Sequence, residues 1–172
     1  MTMMLLLLGI LISEEPFDGL TLFTPLTDGP SGGGENHTVL MNNNTDIINQ
    51  WYHETSAATA PYLLSDSTLI CPFKIDAPYL IGSGYGGKII RYSWSGEIIW
   101  EYEYSDTNHL QHHDIEPMPN GNVLIISWDR KTYQEALDAG RQDLESEMWP
   151  DKIIELIPIG QDSAAIVWEW QF

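Results

Sequence analysis

Cysteine and basic charge are both scarce in this chain. Among 172 residues there is one cysteine, Cys71, so neither a disulfide framework nor a cysteine-based zinc centre can form within it. Cys71 lies in the apolar stretch "STLIC" and reads as a buried, inert thiol that packs as a small hydrophobe. Seven Lys and Arg stand against 25 Asp and Glu, a formal charge of −18. Nucleic acid and anionic membrane surfaces both demand basic patches, so neither is an expected partner. The acids are scattered rather than blocked and read mainly as a solvated surface. A long hydrophobic run is missing too. The start, "MTMMLLLLGILIS", holds about a dozen residues, against the roughly 20 that span a bilayer, so no stable membrane span is expected. Its length suits the core of a signal peptide, without the basic flank or the small-residue cleavage site. Export to a periplasmic or extracellular space is the resulting expectation, with residues 1–17 set apart as an apolar N-terminal segment. "NHT" (36–38) and "NNT" (43–45) are glycosylation sequons.

What the chain does have is repetition. "GKIIRYSWSGEIIWEYEY" (87–104) and "DKIIELIPIGQDSAAIVWEWQF" (151–172) share Lys-Ile-Ile, a turn, then two branched or apolar residues and Trp-Glu-aromatic. Lys88 recurs as Lys152 and Trp100 as Trp168; a weaker copy, "TVLMNNNTDIINQWYHE" (38–54), ends near Trp51. A second unit alternates with the first. "YLLSDSTLIC" (62–71) aligns without gaps on "EPMPNGNVLI" (116–125), placing Asp66 on Asn120 and Ser67 on Gly121. Each unit reads as a hairpin. Two hairpins make a four-stranded antiparallel sheet, and a repeat of roughly 50–65 residues is that of a β-propeller blade. The expectation is an all-β chain with an incomplete propeller of about two to three blades over residues 18–172. A single β-sandwich is the competing reading. Fewer blades than the usual four to eight, and a chain ending inside the aromatic strand "IVWEWQF", lead us to expect a piece of a longer array with an open face prone to self-association.

One segment breaks the strand period. In "DRKTYQEALDAGRQDLESEMWPD" (129–151), Thr132 and Glu135 form a capping box and Gly140 suits the position after a helix end, which predicts a short helix near 132–139. Inserts of this kind sit on the rim of a blade and shape the mouth of a site.

The chemistry-bearing stretch is "HLQHHDIEPMPNGNVLII" (109–126), which holds three of the five histidines. In a regular strand His113 and Ile115 share one face while His112 and Asp114 share the other, so a single histidine faces any one cavity. Histidines that merely bond backbone at a blade edge are the plain alternative. A metal site is disfavoured because His-x-x-His-His-Asp matches no familiar zinc spacing. "GSGYGG" (82–87) lacks the Gly-Lys-Ser/Thr ending of a phosphate loop and reads as flexible loop. Arg130-Lys131 reads as a surface pair, and Trp100, Trp168 and Trp170 as blade packing.

Taken together, "DGLTLFTPL", "PYLLSDSTLI", "GGKIIRYSWSGEIIWEYEYSD", "HLQHHDIEPMPNGNVLIISWDRKTYQEALDAGR", "MWPDKIIEL" and "IVWEWQF" resemble the arylsulfotransferase family, from about residue 18 onward. The resemblance implies an exported propeller enzyme that moves a sulfuryl group from a phenolic sulfate ester to a phenol through a sulfated histidine, with no cofactor. It makes His113 and His112 the catalytic candidates, with Asp114 an orienting residue or a turn acceptor; apart from the resemblance, Arg141 at the end of the helical insert is a weaker candidate for an anionic substrate, set against a solvated helix terminus. The family's other channel histidines and arginine have no counterpart in these residues. Two functions therefore stand: aryl sulfotransferase, or a propeller that serves as a binding or scaffold module. A homo-oligomer is compatible with either.

Overall fold

The computed structural model describes residues 17–25, 36–76, 79–80 and 83–171. The apolar run at the start, and with it the signal-like reading, lies outside the described residues. Among the described residues eleven strands and one helix follow one another: β1 Leu20–Phe23, β2 Asn36–Asn42, β3 Ile47–His53, β4 Tyr62–Leu63, β5 Leu69–Lys74, β6 Gly87–Tyr92, β7 Ile98–Glu103, β8 His109–Pro117, β9 Val123–Asp129, α1 Tyr133–Asp138, β10 Asp151–Ile159 and β11 Ser163–Gln171. They form three successive antiparallel sheets, β1-β2-β3, then β4-β5-β6-β7, then β8-β9-β10-β11. The described chain is all-β apart from α1, and no helix in it is long and apolar enough to cross a membrane.

The hairpins arise from one turn used four times. Backbone N–H groups of Asn42, Leu64, Ser93 and Met118 each donate to the carbonyl four residues on, at 2.8–3.1 Å. The fourth residue of each turn is left-handed: Thr45 (φ 67°), Ser67 (65°), Gly96 (87°) and Gly121 (88°). Glycine takes this conformation without strain, and a polar residue at the first or third position, such as Asn42, Asp66 or Asn120, bonds a nearby backbone N–H. The gap-free correspondence of 62–71 with 116–125 is therefore a correspondence of structure.

The middle sheet is covered on both sides. Leu40, Trp51, Leu69, Cys71, Phe73, Ile90 and Tyr92 fill its junction with β1–β3. Ile70, Ile89, Trp100, Tyr104, Ile115, Ile125, Ile154 and Leu156 fill its junction with β8–β11. This accounts for the unbroken apolar run in β5, buried on both faces as in a sandwiched sheet. Cys71 is fully buried there, and burial pushes its thiol pKa well up.

Each sheet also reaches into the next by the same device. The hairpins β2–β3, β6–β7 and β10–β11 each carry a one-residue bulge, at Ile48, Ile99 and Val167. The residue after the bulge is Asn49, Trp100 or Trp168. Asn49 donates its amide to the carbonyl of Trp94, 2.8 Å away, and Trp100 donates its indole to that of Ser163 at 2.9 Å. Both acceptors sit at the β6–β7 or β10–β11 turn of the following sheet. By register, then, Asn49 is the counterpart of Trp100, and Trp51 that of Tyr102 two residues on. Matching by residue type would instead set Trp51 beside Trp100.

The insert between β9 and β10 holds α1. Thr132 caps it, with the reciprocal Glu135 bonds of a capping box, and Gly140 follows at φ 89°. The helix expected over 132–139 is present as Tyr133–Asp138, inside a sheet's connection.

Candidate functional site

Strand β8 does not alternate through the histidines. Gln111 pairs with Ser127 and Ile115 with Ile125, so His112, His113 and Asp114 together face the one residue Ile126. The bulge is formed by a left-handed His113, φ 52°. Histidine bears this conformation at a cost of order 1 kcal/mol, held by its surroundings. The segment before β6 supplies them. Gly86 N–H donates to Gln111 O at 3.0 Å and His113 N–H to Gly84 O at 2.6 Å, while Thr59 Oγ1 donates to His113 O. A side chain on Gly84 would strike the His113 ring, with its Cβ 2.5 Å from Nε2. The "GSGYGG" stretch expected as a flexible loop is, over its described residues 83–87, the seat against which β8 bulges.

The bulge undoes the expectation that one imidazole faces each way. His112 Nδ1 and His113 Nδ1 lie 2.7 Å apart, with the rings edge to face. His112 is buried and stacked on the Trp128 indole, 4.1 Å between centroids at 17°. Its Nε2 lies 3.2 Å from Asp151 Oδ1, off the line of a formed hydrogen bond. Burial lowers the His112 pKa below the ordinary imidazole range and the His113 ring lowers it further, while Asp151 opposes both. The burial effect dominates because the ring is almost wholly covered, so the ring is neutral at pH 7. His113 is exposed.

Asp114 turns elsewhere. Its carboxylate accepts from Tyr62 Oη at 2.8 Å, from Thr59 Oγ1 at 3.3 Å and from the Ile115 N–H at 2.9 Å. No hydrogen bond joins it to either imidazole ring among the described residues. Burial and this bond to Asp114 raise the Tyr62 pKa to about 12. Arg141, at the end of the helical insert, is exposed, and no described hydrogen bond or ion pair ties its guanidinium to the histidine pair. Arg130 is held by Glu147 at 2.6 Å and Lys131 by Asp129 at 2.9 Å. His109, the third histidine of the cluster, lies between Asp106 and Asp129 rather than with the other two. No cluster of potential metal ligands occurs among the described residues.

Asp151, Trp128, Tyr62 and Gly84 escaped the sequence reading. Asp151 opens β10 beyond the insert, and only the pairing of Asp151 with Trp128 brings it over His112. The insert thus rises from the same end of the sheet as the histidine pair, its base closed by the Lys131–Met148 bridge.

The arrangement offers two imidazoles that meet through their Nδ1 atoms, with the Asp151 carboxylate beside the buried ring and the other ring facing solvent. Compared with known proteins, no protein-family model matches the chain, and no curated protein matches it either.

Proposed function

We propose that this chain is part of an arylsulfotransferase-like β-propeller, in which His113 receives a sulfuryl group from a phenolic sulfate ester and passes it to a phenol. The observation that carries the reading is the 2.7 Å contact between the two Nδ1 atoms. One of these nitrogens must donate and the other accept. The Asp151 carboxylate favours a proton on His112 Nε2, which leaves His112 Nδ1 as the acceptor of the His113 Nδ1 proton. Nε2 of the exposed His113 ring then carries the free lone pair.

The chemistry follows from that tautomer. His113 Nε2 attacks the ester sulfur, the S–O bond to the aryl oxygen breaks, and the phenolate leaves with the electron pair. The positive charge formed on His113 is relieved by passing its Nδ1 proton to His112, whose imidazolium is stabilised by Asp151. An incoming phenol gives its proton to solvent water and attacks the sulfur, the S–N bond to His113 Nε2 breaks with its electron pair left on nitrogen, and the His112 proton returns to His113 Nδ1, which restores both imidazoles. Three successive four-stranded or three-stranded sheets, latched turn to strand, support the propeller part of this proposal. The strongly negative chain argues against a polyanionic partner.

The test is transfer from a chromogenic aryl sulfate to a phenol acceptor. His113→Asn, which keeps the left-handed backbone, should abolish transfer while the fold is retained. Turnover equal to wild type in that variant would remove His113 from the chemistry, and absence of transfer by the wild-type protein would leave the alternative role, a binding or scaffold module.

A further inference from the structure

A cleft lies at the other end of β8 from the histidine pair. It encloses about 410 Å³ between two copies of one turn, 64–68 at the β4–β5 hairpin and 118–122 at the β8–β9 hairpin. Leu64 and Met118, the first residues of the two turns, both line it. The buried Ile70, Trp100 and Val123 add apolar wall, as do the rings of Pro117, Pro119 and Pro158. One cation enters this lining. Ile70 pairs with Arg91 and Arg91 with Trp100, so the three side chains stand in a row on the face of the middle sheet toward β8–β11. Arg91 Nε donates to Thr68 Oγ1 at 2.9 Å and Nη2 to Asp66 Oδ2 at 2.6 Å. Asp66 Oδ1 in turn accepts from the Thr68 hydroxyl at 2.7 Å and the Thr68 N–H at 3.1 Å. The turn therefore grips one edge of the guanidinium and satisfies both oxygens of the one acid on the lining. A guanidinium carries five N–H donors in a fixed plane. The edge between Nη1 and Nη2 meets no partner among the described residues, on a side chain only 25 % exposed.

We propose that this cleft binds a small aromatic monocarboxylate, its ring among Met118, Trp100 and the prolines and its two oxygens on the Nη1–Nη2 edge of Arg91. The volume lies in the range of small-molecule sites, which are mostly apolar with a few placed polar groups. Two parallel N–H donors match the two oxygens of a carboxylate. The turn already fixes the guanidinium, so binding orders little further side chain. Proline rings, a thioether and an indole offer flat, polarizable contact to an aromatic ring. A single negative charge also suits the chain's −18. It meets Arg91 at contact, while acids more than about 8 Å away are screened at physiological salt. The site is independent of the transfer chemistry: Pro117 stands four residues beyond His113, about 13 Å along an extended strand.

Titration of the ¹⁵N-labelled chain with 2-naphthoate, followed by NMR, tests this. Saturable shifts should appear at the Arg91 Nε–H, the Trp100 indole N–H and the Ser65 and Gly121 amides. The uncharged 2-naphthamide, of the same shape, should bind at least tenfold more weakly. Arg91→Gln should weaken naphthoate binding at least tenfold. Met118→Trp, which fills the cleft and leaves Arg91 gripped by its turn, should do the same with an unchanged circular dichroism spectrum. His113→Asn should bind as the wild type does, whatever its transfer activity. Shifts that do not saturate, equal binding of the amide, naphthoate binding indifferent to Met118→Trp, or shifts centred on His112 and His113 that vanish in His113→Asn would each overturn the proposal.

Discussion

The Nδ1 atoms of His112 and His113 stand 2.7 Å apart although the two residues are adjacent in a strand, where side chains ordinarily point to opposite faces. The left-handed backbone of His113 makes the contact, and the glycine seat at 83–87 makes room for it.

Gly84→Ala should damage the site without disturbing the sheets. The position has φ 79°, and the added methyl would lie 2.5 Å from His113 Nε2. Backbone strain should lower stability by about 1–2 kcal/mol, and the displaced ring should lose most of its transfer activity. Chemical unfolding and the transfer assay, run side by side, check both halves. Full activity would show that the ring position does not matter.

Asp151→Asn should reduce turnover far more than stability. Its carboxylate is half exposed, so its structural contribution is at most about 1 kcal/mol. Its proposed work is to hold the His112 proton on Nε2 and to stabilise the imidazolium that forms. A tenfold or greater fall in kcat with an unchanged unfolding midpoint is the expected result; a parallel loss of both would assign Asp151 a packing role.

Acid should destabilise the fold well above the carboxylate range. His53 is buried against Phe73 and Tyr92, with Nε2 2.7 Å from Thr38 Oγ1 and its Nδ1 unpartnered. Burial, with a contribution from His37, lowers its pKa from 6.5 to about 4. The unfolded chain therefore takes up this proton first, and stability is complete above about pH 6.5 and declines as pH falls toward about 4. His112, shifted the same way, adds to the slope. Urea unfolding at pH 7.5 and pH 5 should differ by roughly 1–2 kcal/mol from His53 alone. His53→Gln should flatten that difference, and an unchanged pH dependence would exclude His53 as its source.

Trp100 should prove a stability residue. It is buried, stacked near Tyr102, and bonded to Ser163 O. Trp100→Ala should cost about 3–5 kcal/mol and Trp100→Phe, which chiefly loses the N–H bond, about 1 kcal/mol. Equal effects of the two changes would deny the hydrogen bond any share.

Much of the fold was legible because its signals are local. The turn at 64–68 and its copy at 118–122 are written in Asp66, Ser67, Asn120 and Gly121, and the helix start in Thr132 and Glu135. The site was less legible. Its three candidates were visible as "HHD", yet their arrangement depends on a bulge, and a bulge is decided by what lies alongside. Here that is Gly84 and Gly86, which bond β8 from the segment before β6. Asp151 reaches His112 only through the β9–β10 register, across a helical insert. Asn49 is hard to see as the counterpart of Trp100 because alignment by residue type favours Trp51, whereas the bulge sets the register.

The central claim is that His113 Nε2 becomes sulfated. Brief incubation of the protein with an aryl sulfate in the absence of acceptor, followed by mass spectrometry of its peptides under neutral conditions, tests it directly. The account predicts one added sulfo group on the peptide carrying His112 and His113, located on His113, and discharged when a phenol is supplied. A peptide that stays unmodified while the chain transfers sulfuryl groups, or a label on any other residue, would contradict it.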